Sequence, residues 1–338
     1  MSTKRKFGCF TYPIIIVISG IGSGVISSFV PIPNFYIFVS LLFICSWIFG
    51  KIVSSATFFQ SRYLIYSFIL TIGLFIIKNK LLSIHTQLDH TSDFSEAIYK
   101  EKVLIQRDSV VLLSQSRKWK DNYGNSYKGD FSVREKDYFN SKKAYFRYTQ
   151  NHQVSQWGLL YKHLVRSDTP YLDLILNELS EIKKKRHLNQ LEFAEMVVTF
   201  IQDIPYSLVF GGRCLPPNQY EDSIRSILEQ CPKCCIGNIP YGIQNPVAFM
   251  GNLKGDCDTR TVIIYAILDH FGYDVAILNS EYYKHSILGL HIPATGKHKT
   301  YRGKRYYTWE TTNKHFTIGT LPKNMEAMNH WNIVLTNT

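Results

Sequence analysis

The chain has 338 residues, 38 Lys/Arg against 26 Asp/Glu for a net charge of +12, and 45% apolar side chains. Residues 1–80 hold seven of the basic residues and no acidic one, leaving 31 basic against 26 acidic side chains beyond them. The excess is therefore split between a charge-flanked apolar region and a mildly basic remainder, and with no nucleic-acid motif in the chain a nucleic-acid partner is not expected. Internal repeats, low-complexity tracts and glycine-rich phosphate loops are absent as well, so no cofactor is expected.

In chain order, three apolar segments come first, at about residues 13–30, 35–50 and 63–77. The first has the length to span a bilayer, and the other two approach the usual ~20 residues once Lys51, Arg62 and Lys78 are allowed to snorkel. About three transmembrane helices are predicted, with lipid as the partner of residues 1–80. Gly20 and Gly24, four apart, suit helix packing there. Lys4, Arg5 and Lys6 argue for a cytoplasmic N-terminus, and Lys51 with Arg62 agrees, whereas Lys78 and Lys80 pull the other way. Three crossings put the globular part outside the cytoplasm.

Residues 81–165 read as a linker and a small β-rich region, with turns at Tyr123-Gly124-Asn125 and Lys128-Gly129-Asp130. Residues 166–338 read as the main domain. Ser167-Asp168-Thr169-Pro170 predicts a helix start, followed by an apolar stripe of Leu172, Ile175, Leu176, Leu179 and Ile182 that ends in the solvated run Lys183 to Arg186. A second helix is predicted from about Leu191 to Asp203, with Pro205 beyond its end.

Five of the seven cysteines lie in this globular part: Cys214, Cys231, Cys234, Cys235 and Cys257. Four can pair and leave one free thiol, which suits an oxidising compartment. The alternative is a zinc site built from Cys231-x-x-Cys234 with Cys214 and Cys235. It lacks a second Cys-x-x-Cys pair, so no metal ligands are assigned.

Gly255-Asp256-Cys257-Asp258-Thr259-Arg260 then opens an apolar helical run that Gly272 stops, and this places Cys257 at a helix N-terminus. The N–H groups and positive dipole end there favour a thiolate and could hold an oxyanion. Asp256 and Asp258 oppose ionisation by like-charge repulsion. His285 opens a buried strand, and Arg305 to Thr311 reads as another. Adjacent antiparallel strands would set Glu310 beside His285, with one ring nitrogen on the carboxylate and the other toward Cys257. His291, His298 and His315 read as surface histidines, and Trp309 as core or cleft wall.

The chain resembles the transglutaminase-like superfamily on Gly255-Asp256-Cys257-Asp258, Lys284-His285-Ser286, Tyr307-Thr308-Trp309-Glu310-Thr311-Thr312 and Phe200-Ile201-Gln202-Asp203-Ile204-Pro205-Tyr206. The match covers roughly residues 170–312. It implies an α+β papain-like core and a thiol-dependent amide hydrolase or acyl transferase, acting on a peptide or protein amide through Cys257, His285 and Glu310. The family's third member is usually Asp, and Glu stands here. Gln202 is a candidate oxyanion donor beside the Cys257 N–H. The alternative is a catalytically inactive module that binds a peptide or cell-wall polymer in the same cleft.

Overall fold

The computed structural model describes Ser19 and residues 98–105, 108–154 and 156–337. Apart from Ser19, the three apolar segments lie outside the described residues. Among those described, no helix is long and apolar enough to cross a membrane. Residues 91–338 form one compact unit, and all that follows concerns it. Its architecture is α+β.

Strands β1 (Tyr99–Ile105), β2 (Asp108–Lys120) and β3 (Ser126–Arg134) form an antiparallel meander. The Asp121–Asn125 turn closes β2 on β3, with Gly124 at φ +87°. The other predicted turn is corrected: Lys128, Gly129 and Asp130 lie inside β3. Gly129 is there because a Cβ would stand 2.9 Å from the Phe131 ring, a close approach rather than a bend.

Two helices follow where β structure was expected, α1 (Glu135–Asn151) and α2 (Trp157–Asp168). The first buries only Ser141 and Tyr145, so it shows little apolar period. A 3-10 turn at Thr169–Tyr171 takes Pro170, and α3 (Asp173–Arg186) starts after it, later than the cap signal suggested. Ile175, Leu176, Leu179 and Ile182 are buried as its stripe requires, and its basic last turn complements the helix dipole. Helix α4 (Gln190–Gln202) begins at a capping box of Asn189 and Glu192 and is buried from Phe193 to Gln202.

A long excursion follows, holding β4 (Leu208–Val209), α5 (Asp222–Gln230) and β5 (Cys235–Ile236). Then come α6 (Pro246–Asn252) and α7 (Cys257–His270). Every residue of α7 from Thr259 to Leu268 is buried, the pattern of a helix enclosed on all sides.

Around α7 stands a five-stranded antiparallel sheet of order β10-β6-β7-β9-β8, comprising β6 (Val275–Ser280), β7 (His285–Leu290), β8 (His298–Tyr301), β9 (Lys304–Trp309) and β10 (Asn332–Thr336). Val275, Ile277, Leu288, Leu290 and Trp309 join the α7 core, while Ala276, Leu278, Ile287 and Tyr306 pack with Leu321 and Trp331 in a second cluster. Both faces are covered, which explains why β6 and β7 read as continuous apolar runs rather than alternating ones.

The meander is not a separate unit. Trp119, Tyr127, Phe131 and Val133 belong to the same core as α7. The Phe200 ring of α4 lies 4.3 Å from Phe131 and 5.0 Å from Trp119, in geometry that adds to burial. A boundary at residues 165 and 166 therefore has no counterpart in the packing.

Candidate active site

Five hydrogen bonds hold the N-terminus of α7 in place. The Asp256 side chain accepts the Thr259 N–H at 3.2 Å and its carbonyl accepts the Arg260 N–H. The guanidinium of Arg260, fully buried, donates to the carbonyls of Gly255, Ile201 and Ile204 and so ties the loop before Cys257 to the end of α4. Burial pulls its pKa down to about 10, which leaves it charged at neutral pH. A helix leaves its first N–H groups without intrahelical partners. The Asp256 side chain takes the Thr259 N–H and the Arg260 N–H makes the first intrahelical bond, so the N–H groups of Cys257 and Asp258 are the helix-end donors that face a ligand.

Cys257 is 7% exposed and is a free thiol. The start of β7 is close enough for the Ser286 backbone to act on the ionisation of the thiol. A single hydroxyl, that of Thr261 one turn along α7, bonds both the Ser286 carbonyl at 3.3 Å and the Thr311 hydroxyl at 3.0 Å. It fixes the strand carrying His285 and the segment carrying Glu310 against the same helix end.

Register supplies the second pairing. Strands β7 and β9 pair with Leu288 opposite Trp309, so Glu310 emerges beside the beginning of β7. His285 Nε2 and Glu310 Oε2 are 2.9 Å apart, and Glu310 is 1% exposed. The other carboxylate oxygen accepts the Thr312 N–H and hydroxyl at 2.8 and 2.6 Å. Burial pushes the Glu310 carboxyl up, but His285 and Thr312 outweigh it and hold it below its ordinary value. At His285 burial pulls downward, while Glu310, with Asp258 and Asp256 adding, wins and raises it. A neutral imidazole that donates Nε2–H to Glu310 keeps its lone pair on Nδ1.

The thiol departs from expectation. Burial pushes Cys257 well up, Asp258 and Asp256 add to the rise, and the Ser286 N–H opposes them. The helix end does not deliver a resting thiolate; desolvation and two neighbouring carboxylates prevail. Asp256 itself is pushed up to about 7 by burial and then by Asp258.

Gln202 is also corrected. Its Nε2 donates to the Glu310 carbonyl at 2.6 Å and to the Phe316 carbonyl at 3.3 Å, so it positions the carboxylate-bearing segment instead of serving an oxyanion. Phe316 O receives Trp309 Nε1 and Asn122 Nδ2 as well, which links the tip of the β2–β3 hairpin to the loop after Glu310. Trp309 is fully buried core.

The four remaining cysteines pair as Cys214–Cys235 and Cys231–Cys234, which replaces the zinc reading. This cross-linked excursion borders the site: Ser207 N–H bonds Gly255 O, and Lys254 Nζ reaches Cys235 O at 3.3 Å. On the α2 side, Trp157 packs against Tyr161 and edge-on against Tyr241, which stands at φ +56°. His291 and His315 are exposed and His298 is half-buried on β8.

No protein-family model, curated protein or solved structure matches this chain. Function therefore rests on the chemistry of the site. A cysteine at a helix end with donors beside it, an oriented histidine and a buried carboxylate can perform acyl transfer through sulfur.

Among the residues sequence reading missed, Ser286 and Tyr161 meet Asp258 beside the thiol, and Asn279 bonds both of them. Only Ser286, adjacent to His285, carried a local signal.

Proposed function

We propose that the chain is a membrane-anchored, transglutaminase-like cysteine enzyme with a papain-like core, cleaving or transferring peptide or amide acyl groups. The observation that carries this reading is the 2.9 Å His285–Glu310 pair at the end of the helix that begins with Cys257. His285 takes the thiol proton as sulfur attacks the carbonyl, then gives it to the leaving amine. The developing oxyanion lies against the N–H groups of Cys257 and Asp258. Glu310 fixes the tautomer and stabilises the imidazolium. Water or an amine then takes the acyl group from sulfur, with hydrolysis preferred. The raised thiol makes His285 a true general base, so the rate rises with pH as His285 loses its proton, above its ordinary 6.5.

The two disulfides support a globular part outside the cytoplasm, because such bonds persist in oxidising compartments. Residues 1–80 supply the anchor in this reading. A second reading, a catalytically silent module that holds a peptide or wall polymer in the same cleft, draws on the buried thiol and its two carboxylate neighbours.

The test incubates the full-length chain with a library of tetrapeptide amides and follows amine release together with acyl adducts on Cys257 by peptide mass. Release and adduct are expected from the native chain and from neither Cys257→Ala nor His285→Ala. Undiminished release by Cys257→Ala defeats the enzyme reading, and binding without release by the native chain favours the silent module.

A further inference from the structure

Asp258 is the second residue of α7, and it faces the thiol from a position independent of His285. Its Oδ2 lies 3.9 Å from Cys257 Sγ, within reach of an S–H donor. Its Oδ1 accepts the Tyr161 hydroxyl of α2 at 2.5 Å and contacts the Ser286 hydroxyl of β7. Asn279 of β6 closes the ring: its Nδ2 donates to the Tyr161 oxygen at 2.8 Å, and its Oδ1 lies 2.8 Å from Ser286 Oγ. Tyr161 and Ser286 are 1% and 2% exposed. Burial, and then the charge of Asp258, push the Tyr161 phenol up, so it remains an O–H donor. Two hydroxyls, Tyr161 and Ser286, thus hold one carboxylate oxygen, Asn279 braces both of them, and the other oxygen faces sulfur.

We propose that Asp258, clamped by Tyr161 and Ser286, is a positioning residue that accepts the Cys257 S–H and keeps the nucleophile protonated at rest. The proton then moves to His285 when a substrate is seated, so reactivity is withheld from stray electrophiles. This rests on Cys257 being the nucleophile of the proposed reaction.

The other ionisable groups around the pair do not replace this role. Asp256 is occupied as the helix cap, Glu310 is bound to His285 and Thr312, and Arg260 is spent on three carbonyls. Tyr206, whose ring packs on Arg260, is a phenol pushed up first by burial and then by Cys257, and like-charge effects from it are absent at neutral pH.

The experiment measures iodoacetamide alkylation of Cys257 against pH in the full-length chain, mapped by peptide mass, with thermal melting as the check on folding. In Asp258→Asn the midpoint falls by about 1–2 pH units and labelling at pH 7 rises about tenfold or more, because a like charge beside the sulfur is gone. Asp258→Glu keeps the charge and stays near the native midpoint. A folded Asp258→Asn with an unchanged or higher midpoint, or a Glu variant that shifts equally, overturns the proposal. Should Asp258→Asn fail to fold, the infrared S–H stretch of the native chain decides. A Cys257 band at neutral pH, lowered in frequency by a carboxylate acceptor and absent in Cys257→Ser, is expected, and a missing band overturns it. Both readouts report the resting thiol without turnover, so their failure is distinct from loss of the enzyme reading, which amine release by Cys257→Ala decides.

Discussion

Two walls border Cys257, and they are stabilised in opposite ways. One is the triad wall of α7, β6, β7 and β9, whose apolar side chains are almost wholly enclosed. The other is the excursion from 208 to 239, where Leu208, Val209, Leu228 and Ile239 are the buried apolar residues among those described. There a Phe210–Tyr220 stack and a two-residue parallel pairing of β4 with β5 are joined by two disulfides. Burial fixes the wall that carries the catalytic geometry in the proposed reading. Covalent links hold the wall that has too little apolar surface to fold on its own.

The largest expected effect sharpens the functional side of this contrast. Replacing Glu310 removes the acceptor that orients His285 and leaves an imidazole 12% exposed without its hydrogen-bonded carboxylate. Glu310→Ala should lower kcat/KM by roughly 10³–10⁴-fold with KM little changed, as loss of an orienting carboxylate does. Glu310→Asp should recover part of that loss, because a carboxylate one carbon shorter still accepts from His285 over a longer path. Steady-state kinetics on the amide identified by the library decide it. Equal activity in native chain and Glu310→Ala would break the claim that this wall holds catalytic geometry.

Much of this wall was legible in sequence, because its signals are local. A Gly-Asp-Cys step into an apolar run, a histidine opening an apolar strand and a carboxylate closing an aromatic one each declare themselves within ten residues. The carboxylate ring around Asp258 was not legible, since Tyr161 and Asn279 stand 118 residues apart and nothing in either neighbourhood signals the other. Helices α1 and α2 were hidden for a different reason. Residues 135–151 carry Tyr138, Phe139, Tyr145, Phe146 and Tyr148 among lysines, a composition that favours strands, and only two of the seventeen are buried. Gly129 misled in the same way, because a glycine required by a neighbouring ring looks like a glycine required by a turn.

The next effect falls on the other wall. Cys214–Cys235 closes 21 residues of chain and ties β5 back to the start of the excursion. Paired Cys214→Ser and Cys235→Ser changes should cost this segment about 2–3 kcal/mol. Limited proteolysis should then cut within residues 208–239 many times faster, while the melting of the buried wall shifts far less. Breaking Cys231–Cys234, which closes only three residues, should alter proteolysis much less. A fall in stability shared equally by both walls would show that they fold as one and remove the contrast.

The smallest effect is the pH dependence of the His285–Glu310 pair. Glu310 is held below its ordinary 4.5, so its contribution is present above that value and is lost as pH falls through the lower folded value. His285 is raised above its ordinary 6.5, so its contribution is complete below 6.5 and is lost as pH rises through the higher folded value. Their common window lies between about 4.5 and 6.5. Urea titrations across pH should show the native chain gaining on the order of 1 kcal/mol over Glu310→Gln within that window, with the difference shrinking on either side. The disulfide-held wall, residues 208–239, holds no histidine and so no such histidine–carboxylate pair. Proteolysis there should therefore stay level across the same range while the urea midpoint moves, and a parallel change in both would assign the pH response to the whole unit instead of to this one hydrogen bond.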